Sequence, residues 1–320
     1  MHHMAHYATE CINHREFLFL GRVEYGRKWR VAAGTSLLPS SRLRAMLGGM
    51  AKHCRRMLIA WMILSATIAP GSDEHSNTSA KRDVAVGPPK NARKAPKHGF
   101  LPRVYQDAEG RKAKYMVFVP HIYRGDRNFP LILFLHGKGE SGTDGEQPTK
   151  TGLGPVIRKN PKEFRFFAVF PQSQHATWKA ASEDADRALA ILEEVEKEYK
   201  IDSKRIYLTG VSMGGLGTWS LAEADPNRWA AIVPICGGLG KSGPDPSGAA
   251  KIKDLPCWCF HGDADKIVPA RLSQSMIGAI KKAGGHPAYT EYPGVDHQGC
   301  WVRAYRSPDL YKWLLKHRHK

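Results

Sequence analysis

The sequence predicts an α/β domain with a mostly parallel sheet covered by helices on both faces, and three observations carry that prediction. Short apolar runs alternate with helix-patterned stretches from about residue 100 to the C-terminus. One run, Leu131-Ile132-Leu133-Phe134-Leu135, has no polar alternation, as a strand buried on both faces requires. A glycine-flanked serine, Gly210-Val211-Ser212-Met213-Gly214, ends one strand-like run and opens a helix-like one.

In chain order, Tyr115–Val119, Leu131–Leu135 and Phe166–Phe170 are runs of strand formers. Ser182 caps a helix in which Ala185, Ala188, Leu192, Val195 and Tyr199 recur at spacings of three and four. Arg205–Thr209 is the next strand, and a helix starts near Met213. Ala231–Ile235 and Cys257–Phe260 are strands, with a helix over Ala270–Ala283 after the second. Tyr289–Tyr292 is the last strand and Leu310–Lys316 a closing helix. No internal repeat is visible.

The chain upstream reads differently. Met57–Ala69 is an uncharged apolar run preceded by Lys52, Arg55 and Arg56 and followed by the small residues Ala69 and Gly71. These are the parts of a secretory signal, and 13 residues fall short of the roughly 20 that span a bilayer. A buried or interfacial helix is the competing reading. We expect residues 1–49 to be an extension ahead of the true start, 50–71 an export signal, 72–99 a Ser/Asn/Pro/Lys-rich linker and 100–320 the folded domain. The mature protein should then be exported, periplasmic or secreted, with no stable membrane span.

The formal charge of +18 invites a nucleic-acid reading. Residues 1–100 hold 16 Lys/Arg against 6 Asp/Glu, however, so more than half of the excess lies outside the expected domain. The rest shows no basic helix and no aromatic-basic alternation, so no nucleic-acid partner is expected. Cys236, Cys257, Cys259 and Cys300 lie beyond the signal without small-scaffold spacing, and no disulfide is assigned to them.

The serine motif carries the chemistry. A serine hydroxyl is a poor nucleophile unless exposed at a sharp turn beside a base, and side chains at the flanking glycine positions would collide with the neighbouring strand and helix. The amide of Met213, at the helix N-terminus, can face an oxyanion. Leu135-His136-Gly137-Lys138-Gly139, after the most apolar strand, offers the second amide from Lys138 or Gly139, with Lys138 preferred; Gly137 and Gly139 let substrate approach. On such a sheet, acid and base follow the serine in that order. His261-Gly262-Asp263-Ala264-Asp265 offers two carboxylates. Of the later histidines, His297 directly follows the last strand, at the sheet edge that carries Ser212. His286 precedes that strand, and His317 and His319 sit in a basic tail.

Two other patterns fail. Gly240-Lys241-Ser242 lacks the earlier glycine of a phosphate-binding loop, because position 235 is Ile235. His261, Asp263 and Asp265 have no second ligand cluster, so no metal and no cofactor is expected.

Residues 129–139 (FPLILFLHGKG), 205–219 (RIYLTGVSMGGLGTW), 226–238 (PNRWAAIVPICGG), 260–269 (FHGDADKIVP) and 292–301 resemble one family. It is the α/β-hydrolase branch of phospholipase/carboxylesterases, polyhydroxybutyrate-depolymerase-like and feruloyl-esterase-like enzymes and predicted peptidases. The resemblance spans about residues 100–320. It implies about eight strands, Ser212 as nucleophile, Asp265 as acid and His297 as base. Lys138 stands where a small residue is common, Ser173 where a cysteine is usual, and Cys300 where a polar residue is usual.

That fold often inserts a cap after the sixth strand. Here Leu239–Asp254 is 16 residues rich in Gly, Pro and Ser, so a minimal cap and an open site are expected. Trp178 reads either as a wall of the substrate site or as a packing residue. The function that follows is serine-dependent hydrolysis of small or polymer-borne carboxylic esters. A peptidase and a non-catalytic binding protein on the same scaffold are the alternatives, and the ester is favoured because no gating propeller precedes the domain.

Overall fold

The computed structural model describes residues 96–238 and 240–319. The expected extension, the signal and the linker up to residue 95 lie outside the described residues. No described helix is long and apolar enough to cross a membrane.

Among the described residues, eight strands form one open sheet. They are β1 (Gly99–Gln106), β2 (Lys112–Val119), β3 (Phe129–Leu135), β4 (Phe167–Phe170), β5 (Ile201–Val211), β6 (Ala231–Ile235), β7 (Trp258–Gly262) and β8 (Ala288–Tyr292). Their order is β1-β2-β4-β3-β5-β6-β7-β8. β1 and β2 are antiparallel, as are β2 and β4, and every later pairing is parallel. The helices are α1 (Leu153–Lys159), α2 (Glu183–Glu198), α3 (Met213–Ala224), α4 (Arg271–Lys282), α5 (His297–Arg306) and α6 (Pro308–Lys316).

β3 shows why the sheet is covered twice. Leu131, Leu133 and Leu135 face a core built with Leu192 and Val195 of α2, Trp219 of α3 and Met276 of α4. Ile132 and Phe134 face the opposite core, with Ile157 of α1, Tyr305 of α5 and Leu314 of α6. Successive side chains of a strand alternate faces, so a run that is apolar throughout needs helices on both sides. Each buried Leu, Ile or Phe contributes about 1.5–3 kcal/mol of transfer free energy.

Three elements were not legible in the sequence. β1 carries Pro102, which an edge strand tolerates because one side of its backbone needs no ladder bond. α1 has only seven residues and contains Gly154 and Pro155. α5 contains Gly299 and starts at His297 itself, capped by Asp296, whose side chain accepts the Gly299 amide at 2.7 Å. β5 also begins earlier than its apolar pattern, because Ile201 pairs with Phe129 ahead of an irregularity in the β3–β5 register, where the strand is only partly buried.

Candidate active site

Ser212 sits at the junction of β5 and α3 with φ 55° and ψ −118°, a region costly for a residue with a Cβ. The surroundings over-determine that turn. The Ser212 amide donates to the Ile235 carbonyl at 3.0 Å, and the Ser212 carbonyl accepts from the Leu216 amide at 2.9 Å and the Gly238 amide at 3.2 Å. A Cβ at Gly214 would stand 1.9 Å from the Leu135 carbonyl oxygen, and one at Gly210 would stand 2.3 Å from the Gly214 oxygen. The backbones of β3, β5 and α3 therefore meet at a separation that only glycine permits. The serine is left projecting beyond the strand ends.

His297 reaches this point from the first turn of α5. Its Nε2 lies 2.9 Å from Ser212 Oγ and its Nδ1 lies 2.5 Å from Asp265 Oδ2. Asp265 comes from the loop after β7. Its Oδ1 accepts the amides of Ile267 and Val268, each at 2.8 Å, so the Lys266–Pro269 turn folds around the carboxylate. His261 Nε2 approaches Oδ2 at 3.2 Å and the Val268 carbonyl at 2.8 Å. Both neighbours are acceptors, which puts a proton on that nitrogen, while His261 Nδ1 takes the Ser273 hydroxyl at 2.7 Å. Burial alone would raise the Asp265 carboxyl. Bonds from His261, His297 and the Val268 amide outweigh burial and hold it well below the usual carboxylate range.

Asp263 is exposed and has another task. Its Oδ1 accepts the Gly294 amide at 2.6 Å, joining the loop after β7 to the loop that leads to His297. The Ala264 amide adds a bond to the Val295 carbonyl at 3.2 Å.

The two amides expected on the oxyanion side come from the start of α3 and from the loop after β3. Met213 supplies the first amide of α3, which has no intrahelical acceptor. Lys138 opens a short 3₁₀ turn, Lys138–Glu140, and is itself exposed. Gly137 passes beside the nucleophile, since a Cβ there would lie 3.6 Å from Ser212 Cβ; a Cβ at Gly139 would meet nothing within 4 Å. Beneath this loop, His136 is buried between the Gly137 carbonyl (Nδ1, 2.6 Å) and the Ser173 amide (Nε2, 2.9 Å). One partner accepts and the other donates, so the ring is the neutral Nδ1–H tautomer. Burial pushes it down to about 4. Ser173 Oγ in turn donates to the buried Asp184 at 2.6 Å. Burial also pushes the Glu140 carboxyl up, against the Gly137 amide that favours its charge.

Trp178 is fully buried, and its Nε1 donates to the His136 carbonyl at 3.0 Å. It packs under the loop and also walls a cavity of about 400 Å³ that runs beside Met213 and Leu216 of α3. The segment after β6, expected to be a minimal cap, lines the same cavity through Gly243, Pro244 and Asp245. Sequence reasoning missed three neighbours. Trp301 lies edge-on to His297 at 5.0 Å, and Trp219 and Glu223 line the cavity. Trp219 and Glu223 were findable in principle, seven and eleven residues beyond the nucleophile on its helix.

Cys236, Asp265 and His297 place one potential ligand atom each within 4.8 Å of one another. The set does not fit a metal. Asp265 and the imidazole are bonded to each other, and burial raises the Cys236 thiol far above its ordinary value, which keeps it protonated. Cys236, Cys257, Cys259 and Cys300 are buried and free.

A mixed sheet of this order, with a strained serine at the strand-to-helix turn facing a histidine and a carboxylate, defines an α/β-hydrolase. The chain belongs to the Dienelactone hydrolase family, which matches residues 110–301. It is 27% identical over 233 residues to feruloyl esterase D of Neurospora crassa, covering 68% of this chain and 78% of that one. It is 30% identical over 204 residues to the bifunctional acetylxylan esterase/xylanase XynS20E of Neocallimastix patriciarum, covering 60% of this chain and 27% of that larger protein's length. Among solved structures, a thermostable esterase superimposes with a TM-score of 0.61 and 32% identity, over 68% of this chain and 63% of its own.

Proposed function

We propose that the protein is a serine esterase that hydrolyses carboxylic esters, ester groups borne on polysaccharides included. The observation that carries this reading is the unbroken hydrogen-bonded path Ser212 Oγ–His297 Nε2, His297 Nδ1–Asp265 Oδ2. The names of the feruloyl and acetylxylan esterase relatives support the substrate class.

Ser212 Oγ attacks the ester carbonyl carbon and His297 Nε2 takes its proton. The carbonyl oxygen becomes an oxyanion facing the amides of Met213 and Lys138, with Gly137 and Gly139 leaving the approach clear. The C–O bond breaks, and Nε2 returns the proton to the departing alcohol. Water then repeats the sequence on the acyl-enzyme and releases the acid. Asp265 holds the imidazole with its proton on Nδ1 and stabilises the imidazolium of each step. Every step uses side chains and amides of this chain, and no bound metal enters it.

The test is a panel of p-nitrophenyl esters beside aryl-peptide substrates, with and without a chelator, and a fluorophosphonate probe. Ester turnover unaffected by chelation, and labelling abolished in Ser212→Ala, are expected. Labelling without ester turnover, or turnover of the peptides alone, overturns the esterase reading.

The basic flank and apolar run over Lys52–Ala69 support export, with residues 50–71 removed and 72–99 a linker to the catalytic domain. N-terminal sequencing of protein from its native host should find Pro70 to Ser72 first. Retention of residues 50–69 contradicts the reading.

A further inference from the structure

Asp265 is not held by His297 alone. Its side chain has no exposed surface, and its Oδ1 is occupied by the Ile267 and Val268 amides. Two imidazole nitrogens stand at Oδ2, His297 Nδ1 at 2.5 Å and His261 Nε2 at 3.2 Å. A carboxylate offers about four acceptor sites. His261 therefore faces the last of them, from a ring that is itself fully buried.

That ring is anchored at both nitrogens. Nε2 also lies 2.8 Å from the Val268 carbonyl, and the Val268 amide is one of the donors to Oδ1. One N–H thus spans both ends of the turn that carries the acid. Nδ1 takes the hydroxyl of Ser273 on α4 at 2.7 Å, which keeps the ring proton on Nε2. The other titratable groups around the ring have different partners. Glu291, its register partner on β8, is bonded to Tyr289 and Gln274, and the Cys259 thiol of β7 reaches Ser273. Beside His297, the Cys236 thiol donates to the His297 carbonyl at 3.8 Å.

A triad acid must stay ionised and face one way, because it fixes the proton of the base on Nδ1. Burial raises the Asp265 carboxyl, and the bonds from His261 and His297 lower it. We propose that His261 is a positioning residue of the triad, whose Nε2–H locks the 265–268 turn and shares Oδ2 with His297, so that the carboxylate stays turned to the base. This assignment rests on the esterase reading, in which Ser212, His297 and Asp265 carry the reaction. The same N–H weakens the field that Oδ2 exerts on His297. Its loss leaves the imidazolium more stable, so His297 gives up its proton only at higher pH.

Two amides separate this role from packing. Gln at position 261 places its N–H about where Nε2 lies, whereas the shorter Asn places one about where Nδ1 lies, beside Ser273 and away from Asp265. The experiment compares wild type, His261→Gln and His261→Asn on p-nitrophenyl acetate over a pH series, with circular dichroism and urea melts to measure the folded fraction. Per folded enzyme, kcat should fall about tenfold or more in His261→Asn and stay within about threefold in His261→Gln, with KM nearly unchanged. The acid limb of the kcat/KM profile reports His297. It should move up by about half a pH unit or more in His261→Asn and stay in place in His261→Gln. Equal losses in the two variants, an undiminished kcat in His261→Asn, or an acid limb that does not move there overturn the assignment. Wild-type protein supplies a check that needs no variant. Nitrogen NMR of its labelled imidazole rings should find the His261 proton on Nε2, and a proton on Nδ1 alone overturns the assignment whether or not the variants fold. Acetate turnover by the wild type leaves the esterase reading standing in each of these cases, and turnover of no ester overturns both.

Discussion

Asp265, on the loop after β7, and His297, at the start of α5, meet through Oδ2 and Nδ1 at 2.5 Å, and the carboxylate is held in place by the Ile267 and Val268 amides on its other oxygen. Neighbouring Asp263 spends its charge on the Gly294 amide instead. The two carboxylates of the loop thus have separate roles, one facing the base and one fastening the loop that delivers it.

Replacing each with its amide separates those roles. Asp265→Asn should lose about 10⁴-fold in kcat, as expected when the base is left in the wrong tautomer. Asp263→Asn should stay within about tenfold, or about 1.4 kcal/mol of barrier. Measuring kcat on one ester, with circular dichroism to monitor the fold, decides it. The reverse ranking moves the acid to Asp263.

Glycine substitutions distinguish close approach from open space. Gly214→Ala forces a Cβ to 1.9 Å from the Leu135 carbonyl, backbone against backbone, and should cost several kcal/mol of stability together with the activity. Gly139→Ala meets nothing within 4 Å and should leave the urea midpoint nearly unchanged. A well-folded, active Gly214→Ala would contradict the elbow geometry.

Acid should destabilise the domain in two windows. Burial pushes His136 down to about 4, whereas an unfolded histidine titrates near 6.5. Between those values the unfolded chain binds the extra proton, so stability rises with pH and falls on acidification, by about 2–4 kcal/mol in all. Asp265, held well below the carboxylate range, adds a second loss only below about pH 4, where the unfolded carboxyl takes up its proton and the folded one does not. The Glu223 carboxyl, pushed up to about 7 by burial, titrates with the opposite sign. The urea melts are therefore run from pH 8 to pH 3 on Glu223→Gln, where both declines should appear and a flat profile from 6.5 to 4 would contradict the buried neutral imidazole.

Trp178→Phe keeps the ring against His136 but removes the donor to its carbonyl. A buried acceptor left unpaired costs about 1–3 kcal/mol. The loss should appear in the urea midpoint, with a drop in kcat because the Gly137–Gly139 turn begins at that carbonyl. An unchanged kcat with a lowered midpoint would confine Trp178 to packing.

Much of the scaffold was legible because its signals are local. The all-apolar run of β3 announces a strand covered on both faces, and the spacing in α2 matches one buried helix face. α5 was not legible. Its start depends on the Asp296 cap and on β8 delivering His297 to the sheet edge, and its sequence, which runs Gly299-Cys300-Trp301-Val302, has weak helix preference of its own. β1 escaped for the same reason: its alternation is interrupted by Pro102, and its pairing with β2 supplies the order that its pattern lacks.

The sequence by itself determined the class of fold, the serine at the elbow and the order of acid and base, because each is written in periodicity, in glycine positions or in succession along the chain. Only the tertiary structure decided which carboxylate meets His297 and that Trp178 holds the His136 carbonyl. Those relationships join residues brought together by sheet order and loop packing, 32 and 42 positions apart. A side chain's neighbours across such folds are set by register, burial and the space between elements, none of which is carried by the residues immediately beside it.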